Sequence, residues 1–158
     1  MKIATIIIIA ALAAFSTARA RVGETEAQIE ARYGKPTLDG LKIEGLPAKR
    51  YRLGGMDIEV GYIDGKSVVE QYSLLSARMS TPNTADPTDT ILAANGAGKK
   101  WAVTDRSMLA QEPIGWKLED GSIFARNDGN EMTVWSKDFA DWKAAREKET
   151  ENERLKGL

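Results

Sequence analysis

The sequence predicts an α+β fold built from two tandem helix-plus-antiparallel-meander units, with helices on one face of the sheet and a charged C-terminal helix. Three observations point there. A capped helix signature is followed by short strand-like runs joined by Gly-Gly and Asp-Gly turns. The same order returns after a polar break. The chain then ends in a tail dense in Lys, Arg and Glu.

Thr25 and Gln28 have capping-box spacing, Ile29 and Tyr33 lie one turn apart, and Gly34 followed by Pro36 stops the helix. The spacing predicts a helix over Glu26–Tyr33, with Gly34 as a left-handed C′ residue. Strand-like runs follow at 49–53, 56–63 and 66–74, separated by Gly54-Gly55 and Asp64-Gly65. The central run alternates: Met56, Ile58, Val60 and Tyr62 share one face, Asp57, Glu59 and Gly61 the other. Residues 76–85 match no period and read as a linker. Asp86-Pro87 then suits an N-cap and first turn for a helix over 87–94, closed by Gly96-Ala97-Gly98. Further strand-like runs lie at 100–104, 115–118, 122–127 and 131–136, with turns at Asp120-Gly121 and Asp128-Gly129. In the tail from Asp138 to Lys156, Phe139 and Trp142 are the anchors, so the first two turns are expected to pack and the rest to be solvated.

Ahead of these elements, the first twenty residues have the layout of a secretory signal peptide: basic Lys2, an apolar run from Ile3 to Phe15, then Ala18-Arg19-Ala20. The run is shorter than the roughly 20 residues a membrane span needs. The expected organisation is a signal peptide (1–20), a first unit (21–75), a linker (76–85), a second unit (86–136) and a C-terminal helix (137–158). The expected location is exported, periplasmic or extracellular, with no membrane span after cleavage at Ala20.

The stretch from Val22 through Thr25, Gln28 and Gly34 to Pro36, followed by a meander, resembles the opening of small outer-membrane assembly lipoproteins. The tandem arrangement is similar to that of the β-lactamase inhibitory proteins. This resemblance implies helices packed on an antiparallel sheet and a role in protein binding. The chain departs from the lipoproteins in lacking their lipidated cysteine and from the inhibitors in lacking their disulfides, so neither anchoring nor inhibition is carried over.

Composition narrows the chemistry. Without Lys2 and Arg19 the 22 basic residues fall to 20 against 23 acidic ones, a net charge of about −3. A nucleic-acid partner is not expected, because no basic cluster is present to displace counterions. Zero His and zero Cys remove the Ser-His-Asp triad, thiol nucleophiles and the usual zinc sites. No cofactor, metal site or catalytic residue is assigned. Ser136-Lys137 are sequence neighbours and so point to opposite faces of a strand, and Ser136 reads better as a helix start. Gly61 to Ser67 ends in Gly-Lys-Ser but has one residue too few between its glycines for a phosphate loop. Asn127 to Glu131 offers oxygens without calcium-loop spacing.

Two constellations stay open. Asp57 and Glu59, about 7 Å apart on one strand face, with Glu70 across the hairpin, would suit a carboxylate-dependent hydrolase or lyase. The four tryptophans all fall in the second half of the chain, and aligned on a surface they would suit a carbohydrate-binding module. In the last run Met132 and Val134 share one face and Glu131, Thr133 and Trp135 the other. If the first face meets a helix, Trp135 stands on the opposite surface, either covered by the C-terminal helix or serving as a binding anchor. Trp135, Thr133 and Trp116 are the candidate partner-binding residues. The expected function is a protein-interaction module whose partner is another protein, such as a component of the cell envelope.

Overall fold

The computed structural model describes residues 22–74, 87–107 and 113–156. It is α+β, with one eight-stranded antiparallel sheet and three helices among those residues. The elements run α1 (Glu26–Tyr33), β1 (Leu38–Ile43), β2 (Leu46–Leu53), β3 (Met56–Ile63), β4 (Lys66–Leu74), α2 (Pro87–Gly96), β5 (Trp101–Arg106), β6 (Pro113–Leu118), β7 (Ile123–Asn127), β8 (Glu131–Ser136) and α3 (Lys137–Lys156). The strand order is β1-β2-β3-β4-β8-β7-β6-β5, so β4 and β8 meet at the centre of the sheet. The expected signal peptide, Arg21, the 76–85 linker and Asp86 lie outside the described residues.

The local signals act as their chemistry dictates. The Thr25 hydroxyl accepts from the Gln28 backbone N–H while the Gln28 side chain accepts from the Thr25 N–H at 2.9 Å, closing the capping box. Gly54-Gly55 and Asp64-Gly65 have positive φ at both positions, the condition for two-residue hairpins whose twist matches their strands. β1 lies ahead of the first predicted strand-like run, where the sequence pattern announces none. It pairs with β2 through a bulge between Leu38 and Leu41, where Asp39 and Gly40 break the alternation that would have announced a strand.

The sheet's first face carries α1 and α2. Ile29 and Tyr33 from α1 and Ile91 and Leu92 from α2 cover Tyr51, Ile58, Val60, Tyr72, Leu118, Ala125 and Val134 in one apolar core. The central strand's expected alternation is realised, since Ile58, Val60 and Tyr62 all face this core. Tyr51 and Tyr62 share a hydrogen bond of 2.9 Å there, and burial pushes both phenols above their usual value of 10.0. The second face packs on the start of α3: Phe139 meets Ile43, Leu46, Ala48, Val68 and Val69, with Trp135 and Trp142 half-buried beside them. Ser136 is the helix start, its hydroxyl accepting from the Phe139 N–H at 3.2 Å. From Ala144 to Lys156 the helix is exposed.

The chain ahead of α1 is also tied into the sheet. Val22 is buried and donates its N–H to Asn95 Oδ1 at 3.3 Å, while Ser67 Oγ accepts from the N–H groups of Gly23 and Glu24. Ser67 is therefore an anchor in the core, and Asp64-Gly65 is a hairpin turn, which gives the Gly-Lys-Ser run its structural explanation.

Gly34 has positive φ as expected, but with φ 84° and ψ −170° it lies outside the left-handed helical region. The chain leaves α1 in an extended form that glycine alone adopts readily, which turns it directly into Pro36 and β1. A Cβ at Gly34 would meet nothing within 4 Å, so only the backbone opposes substitution. Gly34→Ala is expected to cost about 1–3 kcal/mol in denaturant unfolding. An unchanged midpoint would contradict this exit geometry.

Candidate functional site

On β8, Glu131, Thr133 and Trp135 stand on the second face, and neighbouring strands extend them into rows. Ser73 of β4 lies opposite Glu131. Thr133 sits between Gln71 of β4 and Arg126 of β7, and Trp135 between Val69 and Phe124. Register carries the middle row outward to Glu59 and Arg50 on one side and to Gly115 and Asp105 on the other. One polar row therefore crosses seven strands. Arg50 and Glu59 close an ion pair at 2.6 Å within it, and Arg52 and Asp57 a second at 2.9 Å beside it.

Where this polar area meets α3, a groove of about 450 Å³ opens. Gln71, Thr133 and Trp135 form its floor, and Phe139, Ala140 and Ala144 its helical wall. The Trp135 indole stacks on Phe124, ring centroids 5.9 Å apart and planes 18° from parallel, which fixes the floor. Phe139 stacks on Trp142 in the same manner at 5.9 Å, and the Arg146 guanidinium lies 5.0 Å from the Trp142 ring.

Charged groups rim the groove. Arg126 pairs with Asp128 at 2.8 Å and Asp105 at 3.2 Å, and its hydrogen bond to Asp128 holds the guanidinium above its ordinary value. Lys143 of α3 pairs with Glu44 at 2.9 Å. Glu131 is held by neutral donors: Gln71 Nε2 at 3.1 Å, Thr133 Oγ1 at 3.3 Å and Ser73 Oγ at 3.3 Å.

The three candidate partner-binding residues do not share a surface. Thr133 and Trp135 line this groove, with Trp135 half-buried beside α3. Trp116 faces the other way and is 8% exposed in the core under α1 and α2. Alternation explains this, because Trp116 shares its strand face with Leu118, which is fully buried. Gln71 and Arg126 escaped the sequence reading, since only the register of β4 and β7 against β8 places them here.

The carboxylate constellation does not assemble. Asp57 and Glu59 lie on the second face in their ion pairs, whereas Glu70 pairs in register with Val60 and Val134 and so points into the opposite core. Glu70 is 0% exposed, and its Oε2 accepts from Tyr33 Oη at 3.1 Å and from Tyr72 Oη. Tyr72 Oη also accepts from Asn95 Nδ2 at 3.4 Å. Nor do the tryptophans form a common row. Trp101 donates to the Leu92 carbonyl at 2.9 Å near the end of α2, Trp116 is in the core, and only Trp135 and Trp142 are on the second face. Among the described residues no group of three or more His, Cys, Asp or Glu is placed to hold a metal ion, and no helix is long and apolar enough to cross a membrane.

These placements give the two tryptophans different energetic roles. Trp116→Ala is expected to cost about 3–5 kcal/mol of stability, the usual range for a buried aromatic, and Trp135→Ala roughly half of that. Chemical denaturation of both variants measures the difference. Equal losses would show that Trp135 is a core residue like Trp116.

Comparison with known proteins finds no matching family model, curated protein or solved structure.

Proposed function

We propose that the chain is an exported protein-interaction module, made with a cleaved leader and acting in or beyond the cell envelope, that docks a partner protein on the second face of its sheet. One observation carries the reading. That face is divided between an apolar half seated under α3 and a polar half that no described element covers, and a groove with an aromatic floor lies along the boundary. An aromatic floor inside a polar rim is the usual anatomy of a protein-binding surface. The helix-bearing face buries an apolar core under α1 and α2.

The helix-then-four-strands order occurs twice along the chain, and in each half the last strand lies at the centre of the sheet. This supports the reading of two copies of one unit joined at β4 and β8. A composite face of this kind is wider than either half supplies alone, which suits a macromolecular partner.

Photo-crosslinking tests the proposal. A benzoylphenylalanine at Thr133 is expected to trap a discrete partner in the producing cells, while the same group at Thr90, exposed on α2, traps none. The trapped chain should begin at Arg21. Adducts of equal yield at both positions, or none at Thr133, would overturn the docking face. A chain that retains Met1 would overturn export.

A further inference from the structure

We infer that the groove between α3 and the sheet receives an extended, Lys- or Arg-bearing segment of a partner protein, an inference that rests on the interaction reading above and names the chemistry of the partner. Charge complementarity around the aromatic ring of Trp135 on the floor carries the inference. Four carboxylates line the groove, Glu44, Asp128, Glu131 and Glu147, against two cations. Both cations are committed: Arg126 to Asp128 and Asp105, and Lys143 to Glu44. Glu131 on the rim and Glu147 on the helical wall have no cationic partner among the described residues.

The two sites differ in how they are held. Glu131 accepts hydrogen bonds from Gln71, Thr133 and Ser73, which fix the carboxylate without cancelling its charge. It is positioned before anything binds, so a cation meeting it has little side-chain entropy left to remove. Glu147 lies on an exposed turn of α3 and can adjust to what the floor holds. Trp135, Phe139 and Ala140 supply apolar surface to the same groove. Lysine and arginine fit this surface, because each has an apolar stem to lay on an aromatic ring and a cationic head to reach a carboxylate. Glu131 and Trp135 are four residues apart on one strand face, about 13 Å, which matches a partner segment of about four extended residues. An acidic segment would meet two uncompensated like charges over the same floor.

Calorimetric titration with the acetylated hexapeptide Leu-Lys-Leu-Lys-Leu-Lys, alongside its Glu-for-Lys counterpart, tests this on the full mature chain. The Trp135 indole N–H resonance provides a local readout. The lysine peptide is expected to bind, to shift that resonance, and to weaken as salt is raised, whereas the glutamate peptide is expected not to bind. Glu131→Gln and Glu147→Gln should each weaken binding about tenfold, the loss of one charge-assisted hydrogen bond. Glu149→Gln, which changes net charge equally but lies outside the groove, should leave it unchanged. Glu147 is on an exposed helix, so its variant keeps the fold even if Glu131→Gln does not.

Equal effects of Glu147→Gln and Glu149→Gln, equal binding of both peptides, or no binding of the lysine peptide would each overturn the inference. So would a self-association lost in Trp135→Ala, which would make a second copy the occupant. A partner trapped at Thr133 with no preference for the lysine peptide would leave the docking face standing and remove only the basic segment.

Discussion

The pairing of β4 with β8 is the constraint on which the rest of the structure depends. Residues 58 to 66 positions apart in sequence are set opposite one another, Val69 with Trp135 through Ser73 with Glu131. This single seam joins the first four strands to the last four. It makes the core under α1 and α2 continuous, because Tyr72 and Val134 stand on the same side of adjacent central strands. It equally makes the opposite face continuous, since Gln71 and Thr133 become neighbours. At the middle of the seam, in register with Val134, Glu70 is buried. A carboxylate there costs several kcal/mol unless hydrogen bonds replace its water. Tyr33 from α1 and Tyr72 from β4 supply donors, and Asn95 from α2 links Tyr72 to the Ile91 carbonyl and the Val22 N–H. The network therefore ties both helices and the chain ahead of α1 to the seam. A buried polar cluster of this kind specifies one arrangement of the elements around it, since any slip would leave its members unsatisfied.

The edges of the sheet bear on why the proposed docking surface is a face and not an edge. An open edge strand invites another chain to pair with it. Here both edges are irregular, β1 with a bulge between Leu38 and Leu41 and β5 with two breaks in register near Asp105. Bulges twist an edge away from regular pairing, so strand addition is disfavoured at both ends. α3 then covers the apolar half of the second face and stops short of the polar half, leaving the groove at its border. The same helix that completes the core beneath Phe139 thus creates one wall of the candidate site.

Much of this was legible in local pattern and little of it in long-range pairing. The capping box at Thr25 and Gln28, the Gly-Gly and Asp-Gly hairpins and the alternation of Met132 and Val134 against Thr133 and Trp135 are all written within a few residues. Each appears in the structure where those residues place it. β1 escaped because Asp39 and Gly40 interrupt its period at the bulge. Glu70 was misread because a glutamate on a strand ordinarily faces water. Its shared face with Tyr72 was the available sign that it does not, but its donors come from α1 and α2, far away in sequence. Trp116 carried a similar sign in Leu118, two residues on. Gln71 and Arg126 could not be assigned to the groove at all, since their place in it follows from strand register alone.

The chain carries its own probes for the seam. All four tyrosines, Tyr33, Tyr51, Tyr62 and Tyr72, precede the 76–85 segment, and all four tryptophans, Trp101, Trp116, Trp135 and Trp142, follow it. Equilibrium unfolding in urea can therefore be followed by tyrosine derivative absorbance for the first four strands and by tryptophan fluorescence for the last four. If β4 and β8 fuse the halves into one core and one composite face, the two probes will give a single coincident transition with the same midpoint and slope. Two separated transitions would show that the halves fold independently, and would contradict a sheet, a core and a proposed docking face held together at that seam.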